Sequence, residues 1–372
     1  MLIALVLTAV LSFAAAFVLP WAFPLPPATH IHLALAMGVM PLIFGAMTHF
    51  VPVLTRSKSP HAGIRLIPAF MLASGALAVF SFAAANQMYY FAALLALAAA
   101  AIFSGWIISR TSNPLNKPHP CLYWYLAALA CLLLALAAVA AMELWPEQRL
   151  ALKRLHLHLN TLGFVGLTAI ATLQVLLPTA VGRFDPQAAT RLRHDLKWAL
   201  SGTLLIASGA AWLKPLAWLG TLMWMVPLIR LGKAWFVLYA GEIRRFHGAV
   251  PSLAAALAGF AVALIFGALH ANGILSSTNT AHAFILAFLF PLVTGAASQL
   301  LPVWARPGPQ TAWHAQVRQK LGLAGGLRGM LFLAGGLLVG LGWRGGLVLA
   351  LAALIAFLVQ LMFVARTMGK HD

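Results

Sequence analysis

Charged residues are scarce in this chain of 372 amino acids. They make up 8% of the sequence, six residues are acidic, and 62% are hydrophobic. A soluble domain needs more charge than this to cover its surface, so the composition excludes an ordinary globular protein. Cysteine is also nearly absent. Cys121 and Cys131 lie in one apolar run and give no disulfide framework, and no Cys-x-x-Cys-His sequence exists for covalent attachment of heme.

Apolar runs long enough to cross about 30 Å of hydrocarbon as a helix recur from end to end of the chain. In lipid, backbone polar groups have to be satisfied within the segment, so these runs are expected to be helices. The sequence therefore predicts an all-α polytopic membrane protein of about twelve transmembrane helices. The predicted helices are 2–23, 30–54, 66–86, 88–110, 121–143, 155–180, 196–213, 216–238, 251–272, 280–304, 325–342 and 345–366.

The formal net charge of +18 comes from basic residues in short loops between the apolar runs. Membrane topology explains this distribution better than nucleic-acid binding does. We therefore expect the protein to contact membrane lipid and not to bind nucleic acid. One side of the membrane collects most of the cations, and that side should be cytoplasmic. The sequence predicts a bacterial inner (cytoplasmic) membrane protein with both termini in the cytoplasm. The sparse, periplasmic side holds Arg149, Lys153, Arg154, Lys214 and Arg344.

Three segments of the sequence resemble one another and begin at His32, His158 and His282. A proline follows each histidine by twenty positions, and an arginine follows that proline by four or five. These residues are Pro52, Pro178 and Pro302, with Arg56, Arg183 and Arg306. The histidines are 126 and 124 residues apart, a period that holds four predicted helices. We therefore predict one transmembrane domain, 1–372, of three pseudo-symmetric four-helix units at approximately 1–110, 121–238 and 251–366.

Five histidines fall near the predicted periplasmic ends of the three repeated helices. They are His30, His32, His156, His158 and His282. Ionisable residues in membrane segments are rare and usually functional, and neutral imidazole is the commonest metal ligand. Hydrogen-bonded packing is the alternative interpretation for any one of them. Residues two positions apart lie about 200° apart around a helix, so each His-x-His pair is expected to serve two sites, one on each flank.

Two histidines on neighbouring helices would supply both axial ligands of a heme, and our first pairing is His32 with His282. Heme propionates need cations. Lys153 and Arg154 precede His156, and Arg344 lies in the turn between the last two helices. Each would pair with a propionate through charge-assisted hydrogen bonds, or would bind lipid headgroups at the membrane surface. Both interpretations stay open.

The stretch TAHAFILAFLFPLVTGAASQLLP, residues 280–302, is similar to the heme-ligand helix of subunit I in the heme-copper oxidase superfamily. The helix from His30 to Pro52 carries a similar pattern, and the three four-helix units resemble that family along the whole chain. The resemblance implies that His32 and His282 are axial ligands of a low-spin b-type heme. It also implies that Arg344 meets the propionates.

The sequence departs from that family at the ligands of the binuclear oxygen-reducing centre. The predicted seventh helix, 196–213, has no histidine, and His156-Leu-His158-Leu-Asn160 stands where the family has His-Pro-Glu-Val-Tyr. A related branch that the chain resembles is the NnrS-like family of heme- and copper-containing membrane proteins, which is linked to the nitric oxide response. Copper or a second heme would bind at the two His-x-His pairs.

Three hypotheses for the function stay open. The first is a heme-binding membrane protein that acts in electron transfer or in handling nitric oxide or oxygen, with a redox partner or second subunit. The second is an oxidoreductase, a reduced terminal oxidase or nitric oxide reductase-type enzyme, although the six acidic residues offer few groups for proton supply. The third is a membrane transporter or metal permease without heme.

Overall fold

The computed structural model describes residues 1–112 and 118–368, and the predicted cytoplasmic C-terminus lies outside them. The described residues form twelve long helices and one short one. Their bounds are α1 Leu2–Ala22, α2 Pro27–Thr55, α3 Ala62–Ala83, α4 Tyr89–Thr111, α5 Cys121–Leu144, α6 Pro146–Val181, α7 Ala188–Ala211, α8 Lys214–Ile243, α9 Val250–Ala271, α10 Ser277–Ala305, α11 Ala312–Leu321, α12 Gly325–Gly340 and α13 Gly345–Met368. Every predicted helix is therefore present.

Eleven stretches within the described residues are long and apolar enough to cross a membrane, which confirms a polytopic integral membrane protein. Helix α7 is not one of these eleven, because its first ten residues carry Arg191, Arg193, Asp195 and Lys197. Helices α6 and α7 also begin nine and eight residues earlier than predicted. The added turns are charged, and a prediction based on apolar runs leaves out such amphipathic ends.

The helices group into two compact units, of which the first contains Met1–Thr172 and Pro186–Pro227. Within it, consecutive helices from α1 to α7 pack side by side. Phe44 of α2 is fully buried in the core of this unit. The centre of its ring lies 4.9 Å from that of Phe103 in α4 and 5.7 Å from that of Phe164 in α6.

The second unit contains Leu173–Asp185 and the residues from Leu228 onward. Its central helix is α10, which packs against both α9 and α12, and α12 packs in turn against α13. Two pairs of aromatic rings fill the contacts of α10. Phe260 and Phe288 have ring centres 4.9 Å apart, and Phe290 and Phe332 have ring centres 5.2 Å apart.

Three helices change from α-helical to π-helical geometry part-way along. The π-helical segments are Leu33–Val39 in α2, Leu159–Leu167 in α6 and Phe284–Leu289 in α10. Each begins one or two residues after the histidine that opens a sequence repeat, namely His32, His158 and His282. π-Helical turns are rare in proteins, and those that occur are often at functional sites. Their shared position therefore marks the same three helices as the sequence repeat does.

Small residues let a neighbouring helix approach each π-helical segment closely. A Cβ atom on Gly38 would lie 3.3 Å from the Ser12 Cβ in α1, and one on Gly163 would lie 2.5 Å from the Cys131 Cβ in α5. In the second unit the glycine is on the other helix. A Cβ atom on Gly259 of α9 would lie 1.8 Å from the carbonyl oxygen of Ala287 in the π-helical segment of α10.

We predict that Gly259→Ala destabilises the protein by about 1–3 kcal/mol, because the added methyl group would overlap a backbone atom. Gly267→Ala is the matched control, since Gly267 lies in the same helix and a Cβ there would meet nothing within 4 Å. That control should be neutral or slightly stabilising, because alanine favours the helix over glycine. Thermal unfolding of both variants in detergent micelles measures the difference. Equal unfolding temperatures would contradict the described packing of α9 on α10.

Candidate functional site

The structure places the five candidate histidines close to the start of a π-helical segment in their helices. His30 and His32 lie in α2, His156 and His158 in α6, and His282 in α10, and all five are half-buried. The first four belong to the first unit and His282 to the second. The pairing of His32 with His282 therefore stays a prediction, whereas the first unit brings two of its own histidines together.

His32 and His156 face each other within the first unit. Their ring centres are 6.4 Å apart and their ring planes are inclined by 17°. Bonds from a metal ion to imidazole nitrogen are about 2 Å long, so two imidazoles bound end-on to one ion have ring centres separated by about 6 Å. The separation of the two stacked rings is therefore compatible with one ion bound between their Nε2 atoms.

Hydrogen bonds to main-chain carbonyls determine which nitrogen of each ring is available. The Nδ1–H of His32 donates to the carbonyl oxygen of Ala28 at 2.8 Å, and the Nδ1–H of His156 donates to that of Ala135 in α5, also at 2.8 Å. A carbonyl only accepts, so Nδ1 carries the proton in both rings and Nε2 carries the lone pair. This is the arrangement in which histidine binds metals through Nε2 while its other nitrogen is held in place.

Asn160 lies one helical turn after His156 and holds the same turn. Its Nδ2 donates to the carbonyl oxygen of His156 at 2.8 Å, and it also lies 3.4 Å from each of the two ring nitrogens. An amide nitrogen equally far from both ring nitrogens does not point along the lone pair of either one. The Nε2 lone pair of His156 is therefore not taken up by Asn160.

The other two histidines of the first unit contact different partners. The Nδ1–H of His158 donates to the carbonyl oxygen of Arg154 at 2.8 Å, and the Nε2–H of His30 donates to that of Leu25 at 3.1 Å. The second ring nitrogen of His30, Nδ1, is buried with no hydrogen-bond partner. The members of each His-x-His pair thus make separate contacts, as their spacing around a helix predicts.

The three candidate cations are exposed. The guanidinium of Arg154 reaches the carbonyl oxygen of Ala210 at 3.5 Å, near the end of α7, where a cation is favoured by the free carbonyls. Lys153 lies beside it on α6, and Arg344 lies in the connection between α12 and α13. A role for these residues in binding propionates stays a prediction.

The donor set of this site is small. Among residues 1–112 and 118–368, no group of three or more histidine, cysteine, aspartate or glutamate side chains is placed to hold a metal ion. A pair of imidazoles suits a metal whose remaining ligands come from a cofactor. Heme iron is such a metal, because the porphyrin ring supplies four nitrogens and leaves two axial positions for the protein.

A buried arginine, which lies in the predicted helix 325–342, forms a second polar cluster in the second unit. Arg328 of α12 is 4% exposed, and neutral groups hold its charge. Its guanidinium donates to the carbonyl oxygen of Leu321, to Gln360 Oε1 and to Ser298 Oγ at 3.0–3.1 Å, and it lies 4.6 Å from the ring centre of Phe357. These contacts join α10, α11, α12 and α13.

No family model matches this chain, and a search of curated proteins finds no match to it.

We predict that Arg328→Met lowers the unfolding temperature in detergent, because three acceptors lose a donor and a buried polar group left unsatisfied costs about 1–3 kcal/mol. The Leu321 carbonyl is the acceptor that keeps a second bond, from Ser298 Oγ at 2.9 Å. The control is Arg366→Met, since Arg366 is exposed on α13. That control should unfold within a degree or so of the wild type, as surface changes are small. If the two variants unfolded at the same temperature, the described Arg328 cluster would be unimportant for stability.

Proposed function

We propose that this protein is an integral membrane protein that binds heme b between His32 and His156. It acts in electron transfer or in handling nitric oxide or oxygen, together with a redox partner. The observation that supports this most directly is the pair of imidazoles whose ring centres lie 6.4 Å apart with planes inclined by 17°, each with its Nδ1–H held by a carbonyl so that the lone pair is on Nε2. Bound heme would supply a one-electron iron couple at this position.

The surrounding residues have separate tasks in this proposal. The carbonyls of Ala28 and Ala135 hold the tautomers of His32 and His156 and increase the basicity of each Nε2. The ring of Phe82, whose centre lies 4.5 Å from that of His32, packs against one side of the site and would limit the access of water to it. A dry, apolar surrounding and fixed ligand rings are two of the ways by which a protein adjusts heme chemistry.

We also propose that the chain contains three related four-helix units and is a divergent relative of the heme-copper oxidase superfamily, of which the NnrS-like family is a branch. The π-helical segments support this repeat, because they follow His32, His158 and His282 at nearly the same distance. Close packing of the preceding helix on each segment supports it as well. No separate copper site is part of the proposal.

The proposed location is a bacterial inner membrane with both termini in the cytoplasm and the histidines near the periplasmic face. The uneven distribution of lysine and arginine between the two sides supports this orientation. The family resemblance implies a different ligand pair, His32 with His282. The two pairings predict different effects of single substitutions.

We predict that the protein purified from heme-replete cells shows the absorption spectrum of b-type heme in reduced-minus-oxidised difference spectra. His32→Ala and His156→Ala should each lose this heme, because each removes one of two axial ligands. His158→Ala is the matched control, since His158 lies two residues from His156 and hydrogen-bonds within its own helix. Pyridine hemochrome analysis of all variants gives the heme stoichiometry.

The outcomes separate the hypotheses. Loss of heme in His32→Ala and His282→Ala, with retention in His156→Ala, would replace the proposed pair by the pair that the resemblance implies. A colourless wild-type preparation from the same cells would overturn heme binding, and a transporter would become the leading hypothesis.

A further inference from the structure

The ring of His32 needs a second restraint beyond its hydrogen bond. The bond from Nδ1 to the Ala28 carbonyl holds one edge of the ring, but rotation about the terminal side-chain torsion of histidine is broad. Phe82, near the end of α3, provides that restraint. Its ring lies 4.5 Å from the ring of His32, centre to centre, with an interplanar angle of 42°.

Phe82 is in turn held by Tyr89, the first residue of α4. The two rings are stacked with an interplanar angle of 9° and centres 5.3 Å apart. The backbone N–H of Tyr89 donates to Ser81 Oγ at 2.9 Å, and Ser81 Oγ donates to the carbonyl oxygen of Asn86 at 2.8 Å. These hydrogen bonds cross the short connection between α3 and α4 and hold the two stacked rings in place relative to each other.

Tyr89 also contacts the helix that carries the second histidine. Nη2 of Arg149 donates to the Tyr89 hydroxyl at 3.2 Å, and Arg149 lies two turns before His156 in α6. The adjacent Tyr90 donates a hydrogen bond to Glu143 near the end of α5, the helix whose Ala135 carbonyl accepts from His156. A continuous chain of contacts therefore runs from His32 through Phe82 and Tyr89 to Arg149 in α6. The same helix carries His156, which faces His32.

We propose that Phe82 and Tyr89 are positioning residues that set the angle between the imidazole planes of His32 and His156. This inference rests on the proposed function, in which both rings are ligands of one heme iron. Neither Phe82 nor Tyr89 would hold the iron in this proposal. They act through His32, by fixing its ring plane and by keeping water away from it.

This chain of contacts has a measurable consequence for a bound heme. The angle between two axial imidazole planes sets the splitting of the iron d orbitals, which the g values of the oxidised low-spin heme report. Removing the ring of Phe82 frees His32 to rotate and admits water. Because water stabilises the more highly charged oxidised form, the midpoint potential is expected to fall in the same variant.

The test compares Phe82→Ala with Phe80→Ala, a control that removes the same side chain from an exposed position of α3. Heme content should stay at the wild-type level in both. The largest g value should shift or broaden, and the midpoint potential should fall, in Phe82→Ala alone. Phe82→Tyr should restore both properties because it restores the ring. Tyr89→Phe should give a smaller change, since it keeps the stacked ring and loses the hydroxyl with its bonds to Arg149 and Tyr90.

A second measurement uses heme-free protein, so that failure of heme binding and failure of this inference are distinguishable. Diethylpyrocarbonate modifies imidazole at the unprotonated nitrogen, and mass spectrometry gives the rate at His32. Uncovering the ring should raise this rate several-fold in Phe82→Ala and leave it unchanged in Phe80→Ala. Equal rates in the two variants, or unchanged g values and potential in a heme-loaded Phe82→Ala protein, would overturn the inference. A wild-type protein without heme would overturn the proposed function alone.

Discussion

Two hydrogen bonds from imidazole N–H groups to main-chain carbonyls determine what the histidine pair can do. A polar hydrogen in a membrane-spanning segment has to find a partner within the protein, because hydrocarbon offers none. For His32 the partner is Ala28 in its own helix, and for His156 it is Ala135 in the neighbouring helix α5. Since carbonyls only accept, both Nε2 atoms keep a lone pair. The packing of α5 against α6 therefore determines which ring nitrogen of His156 carries the proton.

Composition alone predicts most of the fold, because a helix that crosses lipid has to be apolar over a known length. It fails where a helix continues as a charged, amphipathic end, as in the first turns of α6 and α7. Composition also does not predict the π-helical segments. They depend on how closely a neighbouring helix approaches, for example at Gly259 of α9, and no residue pattern within one helix records that approach.

The candidate histidines of the site could be predicted from single helices, whereas their pairing depends on how the helices pack. His32 and His156 are candidates from the sequence, because histidine in an apolar helix is rare. Their pairing did not follow from the sequence, since spacing places residues around a helix without telling which helices face each other. Phe82, Tyr89 and Arg149 carry no sequence signal of their own. An aromatic side chain or a cation at a helix end is equally typical of the membrane interface.

The pairing of His32 with His156 has a physical reason within the proposed repeat. His32 and His158 occupy equivalent positions, so in repeated units they would point toward the same flank of their helices. A ligand pair needs one ring that points forward to the next unit and one that points back. The residue two positions earlier lies about 200° around the helix and so points back, which is the place of His156. Under the proposed function, the His-x-His sequence would follow from placing one metal ion between two copies of the same helix.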